Sequence, residues 1–144
     1  MMGNNTNILL LIGGVLSIVA SLTHIAIICS GPAWYRFFGA GEGMATMAGR
    51  GALYPTLITL GIAAVLFIWG LYAFSGVGLI PRLPLLPYGL ATISAAYLLR
   101  GLALVPIALF RPDIMNAFWI WSSLICLGFG IVHTIGTWRA WPSL

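Results

Sequence analysis

Lysine is absent from this chain of 144 residues, and charge of either sign is scarce. Six arginines and two acids make up 6% of the sequence, whereas charged residues are roughly a quarter of an average soluble domain. Hydrophobic residues account for 61%. This composition excludes a soluble globular domain and a disordered chain. Because the arginines are isolated from one another, it also excludes the clustered basic surface that binds nucleic acid, so no nucleic-acid partner is expected.

Residues for several common chemistries are missing as well. The two cysteines, Cys29 and Cys126, form no C-x-x-C motif, so we expect them to fill apolar space rather than to carry thiol chemistry. Two histidines, His24 and His133, supply too few ligands for a zinc site. A G-x-S-x-G nucleophile motif does not occur. The sequence therefore predicts no metal, no cofactor and no catalytic residue, which favours a non-enzymatic protein.

Long apolar runs dominate the sequence instead. A transmembrane helix needs about 20 mostly apolar residues, and four runs reach this length, at about 8–30, 54–75, 86–110 and 114–138. No basic residue precedes the first run, so we expect a membrane span there rather than a secretory signal. We predict an all-α fold, a four-helix transmembrane bundle in which the whole of 1–144 forms a single domain of a multi-pass integral membrane protein.

The connection between the first two runs, residues 31–53, is the longest of the three. It is rich in glycine but also carries Trp34, Tyr35, Phe37 and Phe38. Aromatic side chains gather where the hydrocarbon of a membrane meets the headgroups. We therefore expect this loop to lie in the membrane interface and to contain a short helix.

Small residues predict which faces of the spans pack, because they let helix backbones approach closely in lipid. Stripes of small or polar residues recur at intervals of three or four in the first, third and fourth runs. They are Gly13, Ser17, Ser21 and His24; Gly89, Thr92, Ala96, Arg100 and Ala103; and Ser122 or Ser123, Cys126, Gly130 and His133 or Thr134. We expect these stripes to face other helices and the bulky aliphatic residues between them to face lipid.

Arg100 is the strongest functional signal in the sequence. It falls close to the middle of the third run, where a guanidinium costs about 2.5–3.5 kcal/mol to insert and cannot lose its proton. Three forms of compensation are open: snorkelling to the headgroups, an ion pair with Glu42 or Asp113, or a ligand with an anionic or carbonyl group. Asp113 also has a simpler expected role as the N-cap of the fourth helix, because it precedes that run.

Other polar residues fall in the same half of the membrane as Arg100, because consecutive spans alternate in direction. Helical rise places His24 and hydroxyls of the second and fourth runs at a similar depth, and Glu42 in the long connection can cover them. We therefore predict one ligand-binding cavity lined by His24, Glu42, Thr59, Arg100, Ser122 and Ser123. For His24 and His133, hydrogen bonding between helices is the competing role.

These features predict a small polytopic membrane protein that binds a hydrophobic or anionic amphiphile, such as a lipid or a quinone-like molecule, or a partner's transmembrane helix. It would act as an accessory or binding subunit. Expected partners are membrane lipids and either a partner transmembrane subunit or further copies of the chain. Two alternatives stay open. One is a small oligomeric transporter or channel, and the other is a lipid- or quinone-modifying enzyme with Arg100 as electrophile and His24 as acid–base group.

Overall fold

Residues 7–144 are described by a computed structural model, and every regular element in that range is a helix. Four helical segments are long and apolar enough to cross a membrane, namely Ile8–Ser30, Leu53–Gly76, Leu86–Phe110 and Ala117–Ser143. The prediction of an all-helical chain with four apolar segments of this length is confirmed. The residues before position 7, which bear on the expected lack of a secretory signal, lie outside the described residues.

Seven α-helices follow one another along this part of the chain. They are α1 (Ile8–Ser30), α2 (Pro32–Phe37), α3 (Glu42–Gly49), α4 (Leu53–Gly76), α5 (Leu86–Leu102), α6 (Leu104–Phe110) and α7 (Ala117–Ala140). The helices belong to two compact units. Within the described residues, the α5–α7 unit combines residues 7–16 with Trp69–Leu144, and the α2–α3 unit is Ser17–Ile68.

A proline divides the third apolar segment into two helices. Pro106 has no N–H to donate to the carbonyl of Leu102, and its ring clashes with that carbonyl in a regular helix. The helix breaks at Ala103, so α5 ends at Leu102 and α6 begins at Leu104. A helix C-terminus, with its partial negative charge, therefore lies inside an apolar segment.

The start of α7 differs from the prediction, and its cap is a different residue. Oδ1 of Asn116 accepts a hydrogen bond from the backbone N–H of Trp119 at 3.1 Å, which makes Asn116 the N-cap. The prediction that Asp113 caps this helix was wrong. The carboxylate of Asp113 instead binds the guanidinium of Arg111, because the chain turns tightly through Pro112–Ile114.

Glycine allows α5 and α7 to pack closely in the α5–α7 unit. A Cβ atom at Gly101 would lie 2.7 Å from the Cα of Leu127, and a Cβ atom at Gly130 would lie 2.8 Å from the backbone N of Leu98. Outside their own residue and its neighbours in the helix, real Cβ atoms essentially never come within 3.0 Å of a heavy atom. A larger residue at either position would therefore push the two helix backbones apart.

The buried face of α5 lies one residue away from the predicted stripe. Its buried residues are Leu86, Leu90, Ile93, Ser94, Tyr97 and Gly101. Of the predicted stripe, Thr92 is exposed, whereas Gly89, Ala96, Arg100 and Ala103 are half-buried. The stripe therefore borders the buried face, whose centre is turned by about 100°, the rotation of one helical residue. The reason is that large side chains occupy the contact as well as small ones. In α1, by contrast, Gly13, Ser17 and Ser21 are buried as predicted.

The long connection 31–53 contains two short helices. Gly31 has a φ angle of 81°, which lets the chain turn sharply between α1 and α2, and Pro32 occupies the first position of α2. Tyr35 of α2 and Ala45 of α3 are buried in one apolar cluster. The connection is therefore a packed helical hairpin rather than a flexible linker.

Aromatic side chains of this hairpin also point outward. Phe37 is 82% exposed and Trp34 is 41% exposed. Both residues belong to α2, which begins two positions after the last residue of α1. Exposed aromatic rings at the end of an apolar helix match the expectation of an interfacial loop, and contact with a membrane stays a prediction.

Candidate functional site

Arg100 stands in the last turn of α5, where the C-terminal end of the helix favours a positive charge. Its Nη1 atom donates a hydrogen bond to Oγ of Ser123, and its Nη2 atom donates one to Oγ of Ser122, both at 2.9 Å. Ser123 is fully buried, whereas Ser122 and Arg100 are half-buried. Three of the predicted ligand-binding residues are thus in direct contact across α5 and α7.

Trp119, which is not among the predicted site residues, completes this group. The Cζ atom of Arg100 lies 4.7 Å from the centroid of the Trp119 ring, which is a cation–π contact. Trp119 precedes Ser122 by three residues and Ser123 by four, so the three side chains share one face of α7. That spacing is visible in the sequence and is the signal that could have identified Trp119. We call these four residues the arginine–serine site.

Within residues 7–144, both side-chain carboxylates bind arginines other than Arg100. The chain has two acids. Glu42 binds Arg36 at 2.8 Å, and Asp113 binds Arg111 at 2.7 Å. Neither of the two ion pairs considered for Arg100 therefore forms. Four arginines in the part of the chain that the structure describes have no carboxylate partner there, and Arg100 is the one among them that is partly buried.

The arginine–serine site offers more hydrogen-bond donors than acceptors. A guanidinium carries five N–H groups, and the described residues provide Arg100 with two acceptors, the hydroxyls of Ser122 and Ser123. Three N–H groups of Arg100 consequently have no acceptor within residues 7–144. The Cζ atom of Arg100 lies over the ring of Trp119, and the three N–H groups without an acceptor remain for a ligand. An oxyanion suits this arrangement, since it brings negative charge and several acceptor lone pairs.

The other three predicted site residues belong to the α2–α3 unit. Nδ1 of His24 lies 2.7 Å from a backbone carbonyl one turn earlier in α1. The hydroxyl of Thr59 is buried and lies 3.2 Å from the hydroxyl of Tyr35. Glu42 is exposed and holds the ion pair described above. A cavity that these residues share with the arginine–serine site stays a prediction.

Because Glu42 forms an ion pair, we expect its pKa to lie below the ordinary range of a glutamate carboxyl group. Hydrogen bonds from Arg36 lower the pKa of Glu42. A lowered pKa in the folded state means that the pair stabilises the fold above the unfolded pKa of about 4.3, and that this contribution is lost as the pH falls through the folded pKa. Because Glu42 is the only glutamate in the chain, ¹³C-glutamate NMR would measure its titration alone.

Substitution of the partner provides the control for this titration. In Arg36→Ala the pKa of Glu42 should rise toward its ordinary value, because both the charge and the hydrogen-bond donors of Arg36 that stabilise the carboxylate are gone. A midpoint that is unchanged by this substitution would mean that the pair does not form in solution.

His133 is completely buried in the α5–α7 unit and connects α7 to two other helices. Its Nε2 atom lies 3.1 Å from the carbonyl oxygen of Gly13 in α1, and its ring stacks on Tyr97 of α5 with centroids 5.2 Å apart. A Cβ atom at Gly13 would lie 3.0 Å from the imidazole, so glycine makes room for this contact. The prediction that His133 forms a hydrogen bond between helices is confirmed.

Comparison with known proteins adds no relative to these observations. No known protein family, no curated protein and no solved structure matches the chain. Among residues 7–144, no three His, Cys, Asp or Glu side chains lie close enough to hold a metal ion. The physical features of the arginine–serine site are therefore the basis for a functional proposal.

Proposed function

We propose that this chain is a multi-pass membrane protein that binds the anionic group of an amphiphile at the arginine–serine site. Four helical segments have the length and apolar composition that a membrane span needs. Large apolar side chains remain exposed along them, for example Leu57 at 61% and Leu99 at 70%. Lipid or partner helices would cover this surface, which would be unfavourable in water.

A partly buried guanidinium without a carboxylate partner is the observation that carries the proposal. Arg100 stays charged at any ordinary pH, and a charge inside a membrane span costs about 2.5–3.5 kcal/mol unless it is compensated. Two serine hydroxyls and the ring of Trp119 compensate it in part. A bound anion would supply the missing negative charge and accept the remaining N–H groups.

The contacts of the site favour binding over catalysis. A general acid or base must lie within hydrogen-bonding distance of the proton that it transfers. The side chains that hydrogen-bond to Arg100 or stack on it are two serines and a tryptophan, and none of these titrates near neutral pH. We therefore favour a binding or accessory subunit over an enzyme that modifies the amphiphile.

An amphiphile should remain bound to the protein through a mild purification. Native mass spectrometry of the wild-type protein, extracted from membranes in gentle detergent, should show an adduct of lipid mass. Arg100→Gln should lose this adduct. Arg82→Gln should keep it, because it removes the same charge from an exposed arginine outside the site. If both variants retain equal amounts of adduct, Arg100 does not bind it and the proposal is wrong.

A further inference from the structure

We infer that the anionic group at the arginine–serine site is the phosphate of a membrane phospholipid. The phospholipid would belong to the leaflet at which α6 ends and α7 begins. This inference rests on the proposed function and narrows it to one ligand chemistry and one face of the membrane. Three features of the α5–α7 unit support it: the depth of the site along α7, the direction of the Arg100 side chain, and the set of free donors.

The depth of the site follows from its position in α7. Ser122 and Ser123 come five and six residues after Ala117, the first residue of the helix, which is about 8–9 Å along its axis. The apolar segment Ala117–Ser143 has 27 residues and is therefore about 40 Å long. Centred on hydrocarbon of about 30 Å, it places the serine hydroxyls about 3–4 Å inside the hydrocarbon boundary. Phosphates of that leaflet lie just outside this boundary.

The side chain of Arg100 extends toward the same face. Its Cα atom is ten residues before Phe110, the end of α6, and thus about 15 Å from that end. Its guanidinium is bonded to serines that lie only about 8–9 Å from the start of α7. The charged group is therefore closer to the headgroups than its own backbone is, as in a snorkelling arginine. The sequence left snorkelling and ligand binding as alternative ways to compensate the charge of Arg100. In this inference both apply, because snorkelling brings the guanidinium toward the phosphates.

The free donors of the site match a phosphate. Three N–H groups of Arg100 lack an acceptor within the described residues, and the O–H group of the half-buried Ser122 donates no hydrogen bond there. The Cζ atom of Arg100 lies over the ring of Trp119, and the N–H groups that remain on a guanidinium can bind phosphate oxygens in pairs. A neutral quinone carbonyl would leave the charge uncompensated. A fatty-acid carboxylate would compensate it, but phosphates are present throughout the leaflet, whereas free fatty acids are minor components.

An exposed apolar residue next to the site could accept an acyl chain. Leu99 precedes Arg100 in α5 and is 70% exposed. By helical rise it lies deeper in the apolar segment than the guanidinium, on the side where the acyl chains of a phospholipid held at Arg100 would extend. Such a phospholipid would lay a chain along this side chain without occupying a closed cavity.

Defined ligands added to delipidated protein would test this inference. The probes are dioleoylphosphatidylglycerol, dioleoylglycerol with the same chains and no phosphate, oleate, and inorganic phosphate, each measured by native mass spectrometry. The phospholipid should bind wild type at least tenfold more tightly than dioleoylglycerol does, and Arg100→Gln should remove this preference. Arg82→Gln is the charge-matched control. Arg100→Lys keeps the positive charge but loses the planar set of guanidinium donors, so it should retain part of the preference. This variant also replaces Arg100→Gln in the test if Arg100→Gln does not fold.

Each other outcome contradicts a different statement. Preferential binding of oleate through Arg100 would overturn the phosphate inference and leave the proposed function intact. Equally tight binding of inorganic phosphate would show that the site takes a free anion and not a lipid. If every probe binds wild type and Arg100→Gln equally well, both the inference and the proposed function are wrong.

Discussion

Replacing Gly130 with alanine should lower the free energy of unfolding by about 1–3 kcal/mol, the usual cost of an added group in a well-packed contact. The new Cβ atom would lie 2.8 Å from the backbone N of Leu98 and equally close to the Cδ2 atom of that residue. The side chain of Leu98 can rotate away, but its backbone can move only if α5 and α7 separate. Thermal unfolding in detergent micelles, followed by circular dichroism, would measure the loss.

Gly128→Ala is the matched control for this experiment. Gly128 belongs to the same helix, and a Cβ atom there would meet no atom within 4 Å. Since alanine favours a helix over glycine by about 1 kcal/mol, this variant should be as stable as wild type or more stable. Equal unfolding midpoints for Gly130→Ala and Gly128→Ala would show that the close approach of α5 and α7 is absent in solution.

Removing both serine hydroxyls should destabilise the protein strongly only while Arg100 is present. Each hydroxyl accepts a hydrogen bond from a charged donor, and such bonds contribute about 1.5–3 kcal/mol each. Because Arg100 is only half-buried, we expect a cost of about 2–4 kcal/mol for Ser122→Ala combined with Ser123→Ala. With Arg100→Leu present, the same two substitutions should cost less than about 1 kcal/mol, since no charged donor loses its acceptors.

A double-mutant cycle tests this expectation. It compares the wild type with three variants: Ser122→Ala combined with Ser123→Ala, Arg100→Leu alone, and all three substitutions together. The cycle should be measured in detergent free of phospholipid, so that no added phosphate can replace the lost acceptors. A coupling energy close to the cost of the serine pair is the expected result. Additive losses would mean that the hydroxyls stabilise the protein through packing and not through the guanidinium.

The contact among three of the six predicted site residues could be anticipated from their positions along the sequence. The cost of a charge inside an apolar run singles out Arg100, and the rise per residue brings Ser122 and Ser123 to a compatible depth. These three residues are in contact in the structure. Trp119 shares their helix face, but an aromatic residue near the end of a span has a frequent alternative role as an interface anchor, and the sequence does not separate the two roles.

The incorrect predictions concern features that depend on neighbours in space. The stripe of small residues in α5 was expected to face other helices, and it borders the helix contact without forming its centre, because Tyr97 and Leu90 on the adjacent stripe fill that position. Asp113 precedes the fourth run and has the chemistry of a cap, but Arg111 is close enough to bind it. Asn116 then caps the helix in its place. In each case, composition and spacing were compatible with two arrangements, and the positions of neighbouring residues in the fold decided between them.

The sequence by itself determined the four apolar helices, because length and hydrophobicity along the chain are sufficient for that feature. It also determined that an arginine would have to be accommodated within the third of these segments. Only the tertiary structure decided how: both acids are engaged by other arginines, and two serines and a tryptophan of α7 surround the guanidinium of Arg100. The physical reason is that these contacts depend on the rotation and close approach of packed helices, which the order of residues along one helix does not specify.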